Sequence, residues 1–473
     1  MANPRGFLEV HRVPAPERSP QERVRDYGEI YQTLPENELR EQASRCMDCG
    51  VPFCNSACPL GNLIPDWNDL ARVGDWKGAI AQLHATNNFP EFTGLICPAP
   101  CESACVLDID DDPVMIKQIE YWTINNAFDE GWVVPEPPET RTGRHVAVIG
   151  SGPAGMAAAA ELNKVGHRVT VYERDEAPGG FLRFGVPDAK LEKWIIDRRI
   201  DLLEREGIEF VCDVDVGRDI SVDRLRAEHD AVVLATGSRV ERDLDVPGRE
   251  LDGIHFAMEY LYDRNRWVAE SQGKFARRAE RQISAAGKRL VVIGGGDTGM
   301  DCVSNALREG AEDVLLLDVY PEVPSTGRYP NTPWPIQPRR LVTTYALEEG
   351  GERRFGRQVM GMEGEDGRVA RVIAREVTGE SSRTLAGVEG SEFAIEADLV
   401  LIAVGFTHPQ HEGLLDDLGV TYDSRGNVKA GTFSTSVDRV YAAGDVRVGA
   451  SLVVTAIAEG RRCARVVEAA LRD

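Results

Sequence analysis

Two stretches of this chain repeat one another. "RHVAVIGSGPAGMAAAAELNKVGHRVTVYER" and "KRLVVIGGGDTGMDCVSNALREGAEDVLLLDVY" each read as apolar strand, glycine-rich turn, helix and second strand. Gly150, Gly152 and Gly155 of the first have counterparts in Gly294, Gly296 and Gly299, 144 residues further on. Each unit is followed by a distant apolar strand ending in glycine: "DAVVLATGS" at 230–238 and "ADLVLIAVGF" at 397–406. A repeated strand–turn–helix–strand pattern predicts an α/β fold with two dinucleotide-binding units in series.

The first turn, "VIGSGPAG", assigns each glycine a task. Gly150 permits the tight turn, Gly152 lets backbone approach a pyrophosphate, and Gly155 lets helix and strand pack closely. Pro153 and Ala154 open the helix, whose positive N-terminus would face the diphosphate. Glu173, after the next strand, is the acid expected on ribose hydroxyls. The second turn, "VVIGGGDTGMD", repeats this with Gly294, Gly296, Asp297, Thr298 and Gly299. Its following strand ends near Asp318, an acid that favours the free 2′-hydroxyl of NADH. NADPH needs Arg or Lys for its extra phosphate. Arg328 in "PSTGRYP" reads equally well as that group and as a solvated loop residue, so the cofactor choice stays open. Two fingerprints in one chain point to flavin plus nicotinamide.

The chain also concentrates its thiols. Seven of ten cysteines lie between residues 46 and 105, in "CMDCGVPFCNSAC" and "CPAPCESAC". The start of the chain, "MANPRGFLEVHRVPAPERSP", has no apolar signal region, and no apolar run is long enough to span a membrane. The expected location is therefore cytoplasmic, where disulfides are rare and a local cysteine cluster indicates metal. Seven cysteines fall one short of two four-ligand iron–sulfur clusters. Zinc competes, but only one Cys-x-x-Cys is present, and His84 reads as an ordinary surface or packing residue. A redox disulfide between Cys46 and Cys49 would want a thioredoxin-like setting that this region lacks. A formal net charge of −23 argues against nucleic acid or an anionic membrane as partner. Helices are predicted at "PENELREQASRCMDC" and "MIKQIEYWTINNAFDEGW". "VVPEPPETRTGR" reads as a linker, and 351–396 as a β-meander or hairpin.

Taken together, "CMDCGVPFC", "CPAPCESAC", "VIGSGPAG", "APGGFLRFGVPD", "ATGS", "GGGDTGMD", "NTPWP" and "AAGDVRVGASLVVTAIAEGR" carry a family likeness. The chain resembles the small (beta) subunits of glutamate synthase and, more broadly, the two-dinucleotide-binding flavoprotein reductases with an N-terminal iron–sulfur domain. Dihydropyrimidine dehydrogenase contains a similar module. The resemblance implies a helical domain at 1–140 binding two 4Fe-4S clusters. It implies a discontinuous, Rossmann-like FAD domain at 141–285 and 406–473, and an NAD(P)H domain at 286–405 between its two parts.

It further implies flavin contacts at Gly180, Leu182, Arg183, Thr236, Gly237, Gly444 and Asp445. Thr455 and Ala456 open a helix facing the isoalloxazine. By the same resemblance Cys46, Cys49, Cys54 and Cys105 hold one cluster. Cys58, Cys97 and Cys101 hold the other with a non-cysteine ligand, Glu120 or else Gln118.

The implied activity is electron input to glutamate synthase. NADPH, with NADH possible, reduces FAD, and the clusters pass electrons to an FMN-containing large subunit. That subunit makes glutamate from glutamine and 2-oxoglutarate. The chain begins Met-Ala-Asn, without the N-terminal cysteine nucleophile of such amidotransferases. It is also too short to add an FMN barrel, so the second half-reaction is expected elsewhere. No residue is expected to act as acid or base. A reductase serving ferredoxin, a hydrogenase or a pyrimidine-reducing partner would share fold and sites. A thioredoxin-reductase-type enzyme would need a cysteine pair near the flavin, whereas Cys212, Cys302 and Cys463 stand singly. A non-enzymatic iron–sulfur scaffold is opposed by the two intact glycine fingerprints.

Overall fold

The computed structural model describes residues 3, 5–273, 283–323, 332–338, 345–379 and 383–472. Its N-terminal part is helical. Helices Glu36–Ala43, Ile64–Val73, Trp76–Thr86 and Ile116–Asp129 surround a core containing Trp67, Leu83, Ile119 and Ile124, and helix Pro90–Ile96 turns Phe92 and Leu95 into the core of the first α/β unit. Asp75 caps one of them, its carboxylate accepting from the Gly78 N–H at 2.9 Å. Helices Pro90–Ile96 and Ile116–Asp129 cross so closely that a Cβ on Gly94 would stand 2.7 Å from Tyr121 Cβ. That close crossing draws Cys97, just past one helix, toward Glu120 on the other.

The first expected helix is shorter than its sequence pattern. It ends at Ala43, and the stretch from Cys46 to Pro52 is irregular. Asp48 there adopts a left-handed conformation, φ 51°. A helix would spread Cys46 and Cys49 along one face; the irregular loop turns both into one pocket.

The first α/β unit is a five-stranded parallel sheet. Its order is Val440–Ala442, Ala231–Leu234, His145–Ile149, Arg168–Tyr172 and Glu209–Val211. The edge strand comes from the end of the chain, so this domain is discontinuous. Val146, Val148, Val169 and Val171 are fully buried. Each contributes roughly 1.5–3 kcal/mol by leaving water. Helix Pro153–Lys164 and the C-terminal helix Val453–Arg472 pack together against this sheet.

The second unit is also a five-stranded parallel sheet: Ile254–Phe256, Leu399–Ile402, Arg289–Ile293, Asp313–Leu317 and Glu352–Arg354. Strand Ile254–Phe256 and helix Ala257–Ser271 belong here. Ala257, Tyr260 and Leu261 share a core with Leu290, Val292 and Val303. The boundary expected after residue 285 therefore falls inside the second unit. Its opening strand is three residues long and no glycine turn follows it, so the sequence carries no mark of it. The two crossings between units run side by side, Val240–Glu241 pairing antiparallel with Phe406–His408. The 351–396 region holds the antiparallel hairpin Arg357–Glu365/Arg368–Thr378, with Phe393–Glu396 added to its edge. Asp366 and Gly367 turn it, both at positive φ, as a primed hairpin turn requires.

Candidate functional site

A cavity of about 840 Å³ opens at the first glycine turn. Gly150, Gly152, Pro153, Ala154 and Glu173 line it, as do Gly180 and Leu182 from the following segment. Thr236, Gly237, Asp445 and Ala456 complete the expected residues on its wall. Gly155 lies behind the turn and Gly444 against the helix, where its Cβ would meet Ala154 Cβ at 2.7 Å. Thr455 does not reach the wall; Val453 and Ala456 of the same helix do. Arg183 is also turned away. It is buried, its Nε donates to the Pro178 carbonyl, and it pairs with Asp197 at 2.6 Å.

The three glycines of each turn differ in what demands them. Gly150 has φ 101°, and its Cβ would stand 2.5 Å from the Ala235 carbonyl oxygen. A Cβ on Gly155 would stand 1.9 Å from the Gly150 carbonyl oxygen. Gly152 has no neighbour within 4 Å of that position. The second turn repeats the pattern: Gly294 and Gly299 would collide with backbone oxygens at 2.3 and 2.1 Å, and Gly296 meets nothing within 4 Å. The protein itself excludes a side chain at the outer two glycines. At the middle one only a ligand lying against the backbone would.

Other features of the cavity fit a flavin dinucleotide. Thr236 Oγ1 is buried without a partner among the described residues. Glu173 accepts from the Ser151 N–H and hydroxyl through Oε2, at 3.0 and 2.5 Å, and from the Asp175 N–H through Oε1. Burial pushes the Asp445 carboxyl up to about 6, against a 2.6 Å hydrogen bond from Ser451. Three cations missed in the sequence, Arg174, Arg218 and Arg239, also line the wall. Arg174 directly follows Glu173 and Arg239 lies two residues past Gly237. That adjacency was the signal available, and it suits a polyanion.

The cysteines gather into two pockets. One is lined by Cys46, Cys49, Cys54 and Cys105. The other is lined by Cys58, Cys97, Cys101 and Glu120. Gln118, the other expected candidate, lines neither, and neither does His84. No cysteine is in a disulfide. Burial pushes Cys46, Cys54 and Cys97 up to about 12 and Cys101 well above the ordinary thiol range. Such thiols ionise only against a strong positive charge, which iron would supply. Glu120 is buried on helix Ile116–Asp129, and burial pushes its carboxyl up to about 7. Asn87 and Thr93 donate to Oε1 at 2.9 and 2.6 Å. Each pocket thus gathers four side chains of the kind that bind iron, the number a 4Fe-4S cluster takes.

Pockets and cavity stand in series. Ile96 lines the cavity and Cys97 the adjoining pocket; Val453 lines the cavity and Val454 that same pocket. Ile64 and Ile116 line both cysteine pockets. The far pocket reaches toward the surface, where Cys49 is half-buried and Val51 is exposed.

At the second turn Gly296 and Asp297 are exposed and Thr298 is half-buried. Arg328 lies outside the described residues. Sequence reasoning also missed a bridge between the two α/β units. Lys190 pairs with the buried Asp301 at 2.9 Å, and Tyr345 donates to the same carboxylate at 3.1 Å.

Known proteins share this arrangement. Residues 144–460 match the family described as pyridine nucleotide-disulphide oxidoreductase. Residues 23–132 match dihydropyrimidine dehydrogenase domain II, 4Fe-4S cluster. The NADPH glutamate synthase small chain of Mycobacterium tuberculosis (strain ATCC 25618 / H37Rv) is 53% identical over 470 residues, 99% of this chain and 96% of that one. The chain belongs to the glutamate synthase small-chain family. It is a flavoprotein oxidoreductase with an N-terminal 4Fe-4S domain. The NADH glutamate synthase of Schizosaccharomyces pombe is 46% identical over 98% of this chain, which spans only 22% of that protein. Mycobacterium tuberculosis FprA in complex with NADPH shares the fold, with TM-score 0.54 at 18% identity over 70% of this chain and 85% of that one. No helix among the described residues is long and apolar enough to cross a membrane.

Proposed function

We propose that this chain is the NADPH-oxidising, electron-input subunit of a cytoplasmic glutamate synthase. Its partner is an FMN-containing large subunit that forms glutamate from glutamine and 2-oxoglutarate. The observation that carries the reading is the series of one dinucleotide cavity and two four-donor pockets, separated by single layers of side chains. When bound, FAD accepts a hydride's two electrons from the nicotinamide and releases them singly to iron–sulfur clusters.

The chain's own residues bind and align. Gly152, Thr236 and Asp445 hold the flavin dinucleotide, and Gly296 admits the nicotinamide dinucleotide to the second turn. Cys58, Cys97, Cys101 and Glu120 hold the cluster nearer the flavin. Cys46, Cys49, Cys54 and Cys105 hold the one nearer the surface. Ile96, Val453, Ile64 and Ile116 keep water from between the sites and keep their separations short. Alignment suffices for this chemistry, so no side chain need shuttle a proton. Among the described residues no cysteine lines the flavin cavity, which counts against a disulfide-reducing activity.

The test is NADPH oxidation by the anaerobically purified complex, omitting glutamine and 2-oxoglutarate in turn. Oxidation that requires both supports the reading. A chain that bleaches its flavin with NADPH but never couples to those substrates, even with the large subunit present, would sink it.

A further inference from the structure

The sequence left the choice between NADPH and NADH open between Asp318, which favours NADH, and Arg328, which could serve NADPH. The structure gives that acid a partner the sequence could not reveal. Asp318 follows strand Asp313–Leu317, at the position where an acid ordinarily meets the adenosine ribose. Its Oδ2 accepts from Arg353 Nη2 at 2.6 Å and its Oδ1 from the Tyr320 N–H at 3.0 Å. Arg353 comes from the neighbouring edge strand Glu352–Arg354, paired directly with Leu316.

The same Nη2 donates to the Gly295 carbonyl at 3.1 Å, inside the second glycine turn. A Cβ at Gly295 would stand 2.1 Å from Asp318 Oδ2 and 2.7 Å from Arg353 Nη2. The pair is therefore built into the wall of the turn. Arg353 Nε is buried and has no partner among the described residues, and the guanidinium lies 4.4 Å from the centroid of the Phe355 ring.

We propose that Arg353 recognises the 2′-phosphate of NADPH, with Asp318 as its counter-charge rather than as a ribose-hydroxyl acceptor. This rests on the proposed oxidation of a nicotinamide dinucleotide at the second turn. An unpaired carboxylate here would repel a phosphate dianion. Here both carboxylate oxygens are engaged by the protein, and the Arg353 pair offsets the repulsion. Nη2 spends its two hydrogens on Asp318 and the Gly295 carbonyl and Nε is buried, so Nη1 is the group left to donate to the phosphate. The geometry also orders the two residues: Arg353 attracts the phosphate, and Asp318 moderates that attraction.

The experiment uses the intact flavin- and cluster-loaded chain with Arg353→Gln, Arg353→Lys and Asp318→Asn. Binding of 2′,5′-ADP and 5′-AMP is measured by calorimetry, and kcat/KM by flavin reduction with NADPH and NADH. Arg353→Gln should weaken 2′,5′-ADP at least tenfold more than 5′-AMP. It should lower the NADPH-to-NADH preference by a similar factor, through KM. Arg353→Lys should fall between, and Asp318→Asn should raise the preference. Equal weakening of both adenosine ligands would mean that Arg353 only braces the turn, and would overturn the proposal. So would a wild-type chain that binds 2′,5′-ADP no more tightly than 5′-AMP, or an Asp318→Asn variant shifted toward NADH. If Arg353→Gln fails to fold, Arg353→Lys and Asp318→Asn still decide. A chain that reduces its flavin with neither nicotinamide refutes the proposed function instead, while the adenosine-ligand arm still judges Arg353.

Discussion

Replacing Gly152 by Ala should leave the flavin-free protein intact and damage only its hold on the dinucleotide. Gly152 has φ −66° and ψ −179°, which any residue adopts, and a Cβ there meets nothing within 4 Å. The flavin-free variant should thus keep its stability within about 0.5 kcal/mol. Flavin at a hundredfold excess over its dissociation constant stabilises the wild type by about 2.7 kcal/mol. A methyl group that weakens the site tenfold removes about 1.4 kcal/mol of this. For a domain of this size that is a fall of roughly 3–5 °C in the melting temperature of the loaded form only.

Gly155→Ala is the contrast. Its Cβ would overlap the Gly150 carbonyl oxygen at 1.9 Å. It should cost about 1–3 kcal/mol or more with or without flavin. The assay is paired thermal melts of flavin-stripped and reconstituted protein, with flavin content per chain. If Gly152→Ala lowers both melts alike, or keeps full flavin affinity, then the middle glycine is not reserved for a ligand.

Glu120→Ala should lower iron by one cluster's worth per chain and remove one of two cluster signals in the electron paramagnetic resonance spectrum; unchanged iron would exclude Glu120 as a ligand. Asp445 has a raised carboxyl in the folded state, so its contribution is fully present below pH 4 and is lost as the pH rises toward about 6. Asp445→Asn should therefore stabilise the flavin-free protein by about 2–3 kcal/mol above pH 6 and by nothing near pH 3.5, as read by denaturant titration at both pH values. Lys190→Met should cost about 3–5 kcal/mol, because it leaves the Asp301 carboxylate buried without its cation. Adding Asp301→Asn should recover much of that loss in the same titration, and additive losses would show that the two do not act as a pair.

What was legible in the sequence was whatever a short stretch decides by itself. The glycine spacing of Gly150–Gly155 and Gly294–Gly299 dictates strand, turn and helix locally, and both turns formed as read. The Asp366–Gly367 turn is equally local. The misreadings arose where distant segments decide. The second sheet begins at Ile254, because Leu399–Ile402 offers that strand an edge. The first helix stops at Ala43 rather than continuing through Cys49, where the chain lines the same pocket as Cys105. Arg183 stands in a motif that passes the cavity, yet Asp197, a turn away on the next helix, claims its guanidinium.

Asp318 is the clearest case. A carboxylate's meaning at a nucleotide site depends on whether it is paired, and its partner sits 35 residues on, aligned only by strand register. Neither strand announces that pairing, because each is short and reads as apolar or charged on its own terms. The same holds for the wall between flavin cavity and cluster pocket. Ile96–Cys97 and Val453–Val454 each present consecutive residues to opposite sides. The two segments, from opposite ends of the chain, meet only when the C-terminal helix docks beside the first glycine turn. The wall of the cavity and the cover of the adjoining cysteine pocket are therefore completed by the same docking event. A chain that failed to seat Val453–Arg472 would lose the wall of the dinucleotide cavity and the cover of the adjoining cysteine pocket together.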